Sequence, residues 1–187
     1  IRDYGIGYFK FDYNQDLGVG TDYLAFCAGE GLEQCAEAYL GWVERIRAEF
    51  PTVVFESCSS GGMRMDYAML AKHHVQSTSD QEDYRHTAII AANAPTAVLP
   101  EQAAIWACSL ESCDDEALNF IMANAMLSRI HLGGEIDKLS SEKFSLVKEA
   151  IKKYKDYRQI ISEAIPFYPI GLNSYGGEWA CVGYKTS

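Results

Sequence analysis

No stretch of this sequence is apolar for anything near the roughly 20 residues that a membrane-spanning helix needs. Basic residues are outnumbered: 16 Lys and Arg stand against 26 Asp and Glu, for a formal net charge of −10. That shortage speaks against a nucleic-acid surface and against anionic membranes, because no basic cluster offsets the acidic balance. No Gly-x-Gly-x-x-Gly run opens a helix and no phosphate loop is present, so the motifs for dinucleotides and nucleotide phosphates are missing. The cysteines Cys27, Cys35, Cys58, Cys108, Cys113 and Cys181 form no C-x-x-C pair and no Cys/His grouping with zinc spacing. They read as reduced thiols, which fits a cytoplasmic protein, and no metal or other cofactor is expected. The opening Ile1-Arg2-Asp3-Tyr4 is neither an initiator methionine nor a signal peptide, so the sequence reads as a piece of a longer chain.

What is present is an ordinary globular composition, 48% hydrophobic and 22% charged over 187 residues, enough for one domain with a core. Short apolar runs alternate with stretches of helical spacing. Strands are expected at Tyr8–Asn14, Val53–Glu56, Val75–Thr78, Thr96–Pro100 and Arg129–Gly134. Helices are expected at 32–50, 67–73, 83–94, 114–127 and 142–163, with Asp66 as a cap and Ser140-Ser141-Glu142-Lys143 resembling a capping box. In the first of these helices, Leu32, Cys35, Ala36, Tyr39, Leu40, Val43 and Ile46 make one apolar stripe. Short apolar strands between helices fit a parallel sheet buried on both faces. About five βα units cannot close an eight-stranded barrel, which takes about 250 residues. If the architecture is a barrel, this is its C-terminal part. After Tyr175 the alternation Glu178-Trp179-Ala180-Cys181-Val182-Gly183-Tyr184 suggests the first strand of a β-rich domain.

The chemistry gathers at strand ends. In Tyr8-Phe9-Lys10-Phe11-Asp12-Tyr13-Asn14, Lys10, Asp12 and Asn14 share one face because side chains alternate along a strand. An ammonium and a carboxylate on an inner face need partners. The next two strands end in Glu56-Ser57-Cys58 with Gly61-Gly62, and in Ser79-Asp80. Parallel strands share a direction, so these ends share a rim, where α/β barrels keep their active sites. Asp12 and Asp80 stand on strands separated by one, which puts their backbones about 10 Å apart and their carboxyls roughly 5 to 6 Å apart. A retaining glycosidase needs about 5 to 5.5 Å between its two carboxyl groups, an inverting one roughly 6.5 to 9.5 Å. Glu56 reads equally as a partner of Lys10 or Arg64 and as a catalytic group. Asp80 also reads as a helix cap and Cys58 as an inert buried thiol. His73 and His74 read as packing or surface residues, Trp106 as core, and Glu101 and Gln102 as neighbours of the rim.

Three segments together resemble the melibiase-type α-galactosidases, glycoside hydrolase family 36. Tyr8–Asn14 looks like their nucleophile strand, Phe55-Glu56-Ser57-Cys58-Ser59-Ser60-Gly61-Gly62-Met63-Arg64-Met65-Asp66 like their sugar-binding loop, and Ser77-Thr78-Ser79-Asp80-Gln81-Glu82-Asp83 like the segment with their acid/base. Ile130–Ser140 is similar to their last barrel strand and the helix start after it. The resemblance implies an α/β fold: the C-terminal part of a (β/α)8 TIM barrel over 1–170, then a linker and the first strand of a β-sandwich over 171–187. It implies a retaining α-galactosidase acting on oligosaccharides, with Asp12 as nucleophile and Asp80 as acid/base. Lys10, Asn14, Cys58, Gly61, Gly62, Arg64 and Asp66 would bind the sugar, Arg64 and Asp66 by supporting the loop. The sequence departs from the family pattern at Ser77 and Phe11, where tryptophan is common, and at Met63, where a third glycine is common. Those departures leave open an α-N-acetylgalactosaminidase or another α-glycosidase, and a carbohydrate-binding barrel without catalysis is the reading from another class. Five βα units would leave open sheet edges, so a homo-oligomer is expected.

Overall fold

Strand and helix alternate through the chain, which fits the expected α/β class. The computed structural model describes residues 1–15 and 18–186. Asp16 and Leu17 of the expected Gln15–Gly31 loop, and Ser187 of the expected terminal segment, lie outside the described residues. The chain divides into two compact units, Ile1–Gln76 and Ser77–Ser187.

In the first unit, β1 (Tyr8–Asp12), β2 (Val54–Cys58) and the start of β3 (Val75–Ser77) pair in parallel in sequence order. An aromatic slab backs β1. The rings of Phe9 and Phe11 stack on Phe55 of β2 at centroid distances of 6.0 and 5.8 Å. Tyr39 and Trp42 of α1 (Ala28–Glu49) meet Phe11 edge-on at 6.4 and 5.8 Å. This packing turns Phe9 and Phe11 inward and leaves Tyr8, Lys10 and Asp12 on the open face. Helix α1 starts one turn before the expected Leu32. Gly29 and Gly31 weaken the helical signal there, yet Gly31 is held by a close approach: a β-carbon on it would stand 1.9 Å from the carbonyl oxygen of Thr21. The short α2 (Tyr67–Lys72) is capped as expected, the Asp66 carboxylate accepting from the Met69 N–H at 2.9 Å.

In the second unit, α3 (Tyr84–Asn93) leads to β4 (Ala103–Ser109), α4 (Asp115–Ala125), β5 (Arg129–Gly134) and α5 (Ser141–Glu163). Strands β4 and β5 are parallel, with Trp106 opposite His131. Ala91, Ala103, Ile105, Leu118, Met122 and Ala125 form its core, none more than 2% exposed. A short antiparallel ladder, β6 (Ile165–Phe167) with β7 (Gly183–Lys185), follows.

Two expectations are corrected. The fourth strand is not Thr96–Pro100. That apolar segment folds into consecutive turns, Ala97 and Val98 both bonding back to the Ala94 carbonyl at 3.0 Å and Ala103 to that of Leu99 at 2.9 Å. The strand that forms, Ala103–Ser109, is rich in alanine, a poor strand former, chosen because both its faces are packed. Glu101 and Gln102 therefore precede β4 and do not follow the fourth strand as expected. The strand expected over Glu178–Tyr184 is confined to Gly183–Lys185. The Asn173 side chain takes both backbone groups of Cys181, accepting its N–H at 2.7 Å and donating to its carbonyl at 3.2 Å, which withdraws them from any ladder.

Both histidines at the end of α2 need to be neutral. His73, 3% exposed, lies 2.9 Å from the Met69 carbonyl through Nδ1, so Nδ1 donates and Nε2 accepts from the Tyr39 hydroxyl at 3.2 Å. Nδ1 of His74 accepts the Phe55 N–H at 3.1 Å. Burial, then the Arg47 charge, pulls His74 below its ordinary 6.5. For His73 burial does the same against a smaller opposing pull from the Met69 carbonyl. A depressed folded value means that the unfolded chain takes up protons first as pH falls, so stability is full above 6.5 and declines below it. The urea midpoint should be constant between about pH 7 and 8 and lower at about pH 5.5, with a smaller drop in the His73→Gln, His74→Gln double variant.

Candidate active site

Register places the polar face of β1 against β2: Lys10 stands opposite Glu56 and Asp12 opposite Cys58. Glu56 is 2% exposed, and a carboxylate that deep requires company. The Lys10 ammonium stands 3.6 Å from its Oε1, and the Tyr8 hydroxyl donates to its Oε2. Of the two structural readings of Glu56, the partner of Lys10 is the one realised. Asp12 closes the strand, exposed at the rim.

The loop after β2 is knitted to the segment after β1. The Ser59 hydroxyl donates to the Tyr13 carbonyl, and the Ser60 N–H donates to Oδ1 of Asn14 at 2.6 Å. The chain then reverses through positive φ at Ser60 (40°) and Gly61 (79°), and the Ser59 N–H bonds the Gly61 carbonyl at 3.2 Å. Arg64 lays its guanidinium 4.1 Å from the Tyr13 ring centroid and donates to the Gln15 carbonyl at 2.8 Å. Arg64 and Asp66 thus both brace the loop, and the side-chain amide oxygen of Asn14 is engaged in the same bracing. Cys58 is buried at the strand end. A cavity of about 720 Å³ opens here, walled on its polar side by Lys10, Asp12, Arg64 and Asp66 and on its apolar side by Tyr39 and Met69. Cys35 and Ala36 of the apolar stripe of α1 also line it, which is why they are exposed. Among the described residues no group of three or more His, Cys, Asp or Glu side chains is placed to hold a metal ion.

Sequence reasoning missed Tyr8, Tyr13 and Tyr39. Tyr8 carried a usable signal, since it shares the two-residue period of Lys10 and Asp12. Tyr13 and Tyr39 did not, because the arginine over one and the cavity beside the other are tertiary. Burial pushes the Tyr39 hydroxyl above its ordinary range, with Arg64 opposing.

In the second unit, Asp80 lies exposed three residues beyond the end of β3. It is not a helix cap. That task falls to Asp83, whose carboxylate accepts the Arg85 N–H at 2.9 Å. The segment around Asp80 is ordered by its neighbours: Ser79 Oγ accepts the Gln81 N–H at 3.1 Å, Gln81 Oε1 accepts the Asp83 N–H at 3.0 Å, and Thr78 donates to the Ala104 carbonyl at 2.7 Å. Ser77 is fully buried. Burial and then the nearby Glu82 charge push the Cys108 thiol up. Trp106 stands on β4 edge-on to His131, with centroids 5.3 Å apart.

The model of the family described as Melibiase matches residues 1–164. A curated α-galactosidase of Escherichia coli is 30% identical over 83 residues, 44% of this chain and 11% of that protein. An α-galactosidase of Geobacillus stearothermophilus solved with 1-deoxygalactonojirimycin superposes with a TM-score of 0.77 at 20% identity, over 97% of this chain and 26% of that one. The α-galactosidase of Lactobacillus brevis gives 0.68 at 24% identity, over 86% and 22%. The chain thus spans about a tenth of that curated relative and about a quarter of these solved chains. At these identities the solved structures speak for the fold.

The left-handed turn at Gly61 can be checked directly. Gly61→Ala should lower stability by about 1–2 kcal/mol, the cost of forcing a β-carbon into that conformation, read as a drop in urea midpoint at constant slope.

Proposed function

Because the chain belongs to the melibiase family, whose model covers residues 1–164, we propose that the complete protein is a retaining α-galactosidase. The observation that carries this reading is Asp12 at the end of β1, with Lys10 on the same face and the Gly61 loop beside it, around one cavity. Asp12 acts as the nucleophile. Its carboxylate attacks the anomeric carbon as Asp80, protonated, donates to the departing oxygen. Asp80 then takes a proton from water, which releases the sugar from Asp12 with the original anomeric configuration. Lys10 binds a ring hydroxyl through its N–H groups. Cys58, Gly61 and Gly62 let the ring approach the backbone, Asn14, Arg64 and Asp66 hold that wall in place, and the chemistry calls for no metal.

Terminal α-galactose on oligosaccharides is the substrate class. Related α-galactosidases of Geobacillus stearothermophilus have been solved with raffinose and with stachyose. Met63, 68% exposed beside the glycines, is the observation favouring a second reading, an α-N-acetylgalactosaminidase. The setting is cytoplasmic, in keeping with cysteines whose spacing forms no C-x-x-C pair. The 187-residue chain alone is inactive and self-associates: β1 pairs only with β2 and β5 only with β4 among the described residues, which leaves strand edges open.

In the complete protein, Asp12→Asn should cut kcat on the order of a thousandfold or more. Asp80→Ala should slow natural oligosaccharides by about 10²–10⁴-fold and spare aryl galactosides with good leaving groups. Proton NMR of the first product should show α-galactose, and β-galactose would reject double displacement. A panel of nitrophenyl α-glycosides should give its highest kcat/KM with galactose, and a higher value with N-acetylgalactosamine would favour the second reading.

A further inference from the structure

Glu56 raises a question that the proposed chemistry leaves unanswered. It is 2% exposed and shares the polar face of the sheet with Lys10 and Asp12, yet it is not part of the cavity wall that both of them line. A carboxylate there cannot touch substrate, and removing it from water is unfavourable unless its partners compensate. Those partners are Lys10, 3.6 Å from Oε1, and Tyr8, whose hydroxyl donates to Oε2.

We infer that Glu56 and Tyr8 are positioning residues that aim the Lys10 ammonium at the sugar and at Asp12, an inference that rests on the α-galactosidase reading. A lysine has four rotatable bonds and a point charge with no preferred direction. Left alone at the rim, 30% exposed, its ammonium would sample many positions. Register sets Glu56 directly opposite Lys10 on the neighbouring strand, so the carboxylate engages the ammonium from beneath. The attraction between the two charges biases where the ammonium rests, while its N–H groups can serve a ring hydroxyl and the nucleophile. Tyr8 occupies Oε2 and so leaves Oε1 to Lys10, which selects one carboxylate rotamer. The three side chains come from one face of two paired strands, the rigid kind of support on which a catalytic geometry can be preorganised.

The test uses the complete protein labelled with ¹⁵N-lysine, and Glu56→Gln and Tyr8→Phe variants, with two readouts. Side-chain NMR should show a protected Lys10 ammonium resonance in the unaltered protein that is lost in Glu56→Gln and weakened in Tyr8→Phe. For a nitrophenyl α-galactoside, kcat/KM should fall about 10- to 100-fold in Glu56→Gln and about 3- to 10-fold in Tyr8→Phe. Tyr8→Phe removes only a hydroxyl from a half-exposed ring and carries the test if Glu56→Gln does not fold. An unchanged Lys10 resonance with kcat/KM within about twofold of the unaltered protein in Tyr8→Phe overturns the inference. So does a lower melting temperature with both readouts unmoved, which would make the pair merely structural. Loss of the resonance in a protein that hydrolyses no α-glycoside upholds the positioning and overturns the α-galactosidase reading instead.

Discussion

The first unit depends on the accommodation of one buried carboxylate. Glu56 sits at the middle of β2 with 2% of its surface exposed, and it is accommodated by Lys10 and Tyr8 of the neighbouring strand. Those contacts require β1 and β2 to be parallel in the one register that sets Lys10 against Glu56. A slip of one residue would exchange the two faces of β1 and turn Lys10 into the aromatic slab. The Phe9, Phe11 and Phe55 stack holds that register from the opposite face. Packing on one side and electrostatics on the other therefore specify the same alignment, and the alignment places Asp12 opposite Cys58.

The loop wall depends on that alignment in turn. Ser59, Ser60 and Arg64 bond to Tyr13, Asn14 and Gln15, so the segment after β2 is laid along the segment after β1. Seven residues from Ser59 to Met65 cross the rim with a left-handed turn at Gly61, and Asp66 closes the crossing by starting α2. The second unit treats its carboxylate differently. Asp80 is exposed and carried by a short run of local side-chain-to-backbone bonds from Ser79, Gln81 and Asp83. Asp12 is thus presented by strand pairing and Asp80 by turn chemistry.

Where reading from sequence went wrong, the reasons are specific. Thr96–Pro100 has the composition of a strand and folds as turns, because Pro95 and Pro100 bracket a segment whose N–H groups find carbonyls only a few residues back. Ala103–Ser109 lacks strand propensity and is a strand, because small side chains suit a position packed on both faces. Helix α1 begins at Ala28 despite two glycines in its first turn, since Gly31 answers to the Thr21 carbonyl and not to helix propensity.

Local periodicity determined much by itself. Alternation along Tyr8–Asn14 put Lys10 and Asp12 on one face, helical spacing made the α1 stripe, and Asp66, Asp114 and Ser140 announced the helix starts at which each accepts a backbone N–H. These are short-range properties, set by backbone geometry within a few residues. Only the tertiary structure decided that Glu56 serves Lys10, that Tyr8 completes the pair, that Arg64 rests on Tyr13, and that Cys35 and Tyr39 of α1 wall the cavity. Each of those contacts joins residues 46 or more positions apart or brings a helix flank to a strand end. The choice among partners of equal charge or polarity is made by strand register and helix packing, which no local pattern encodes.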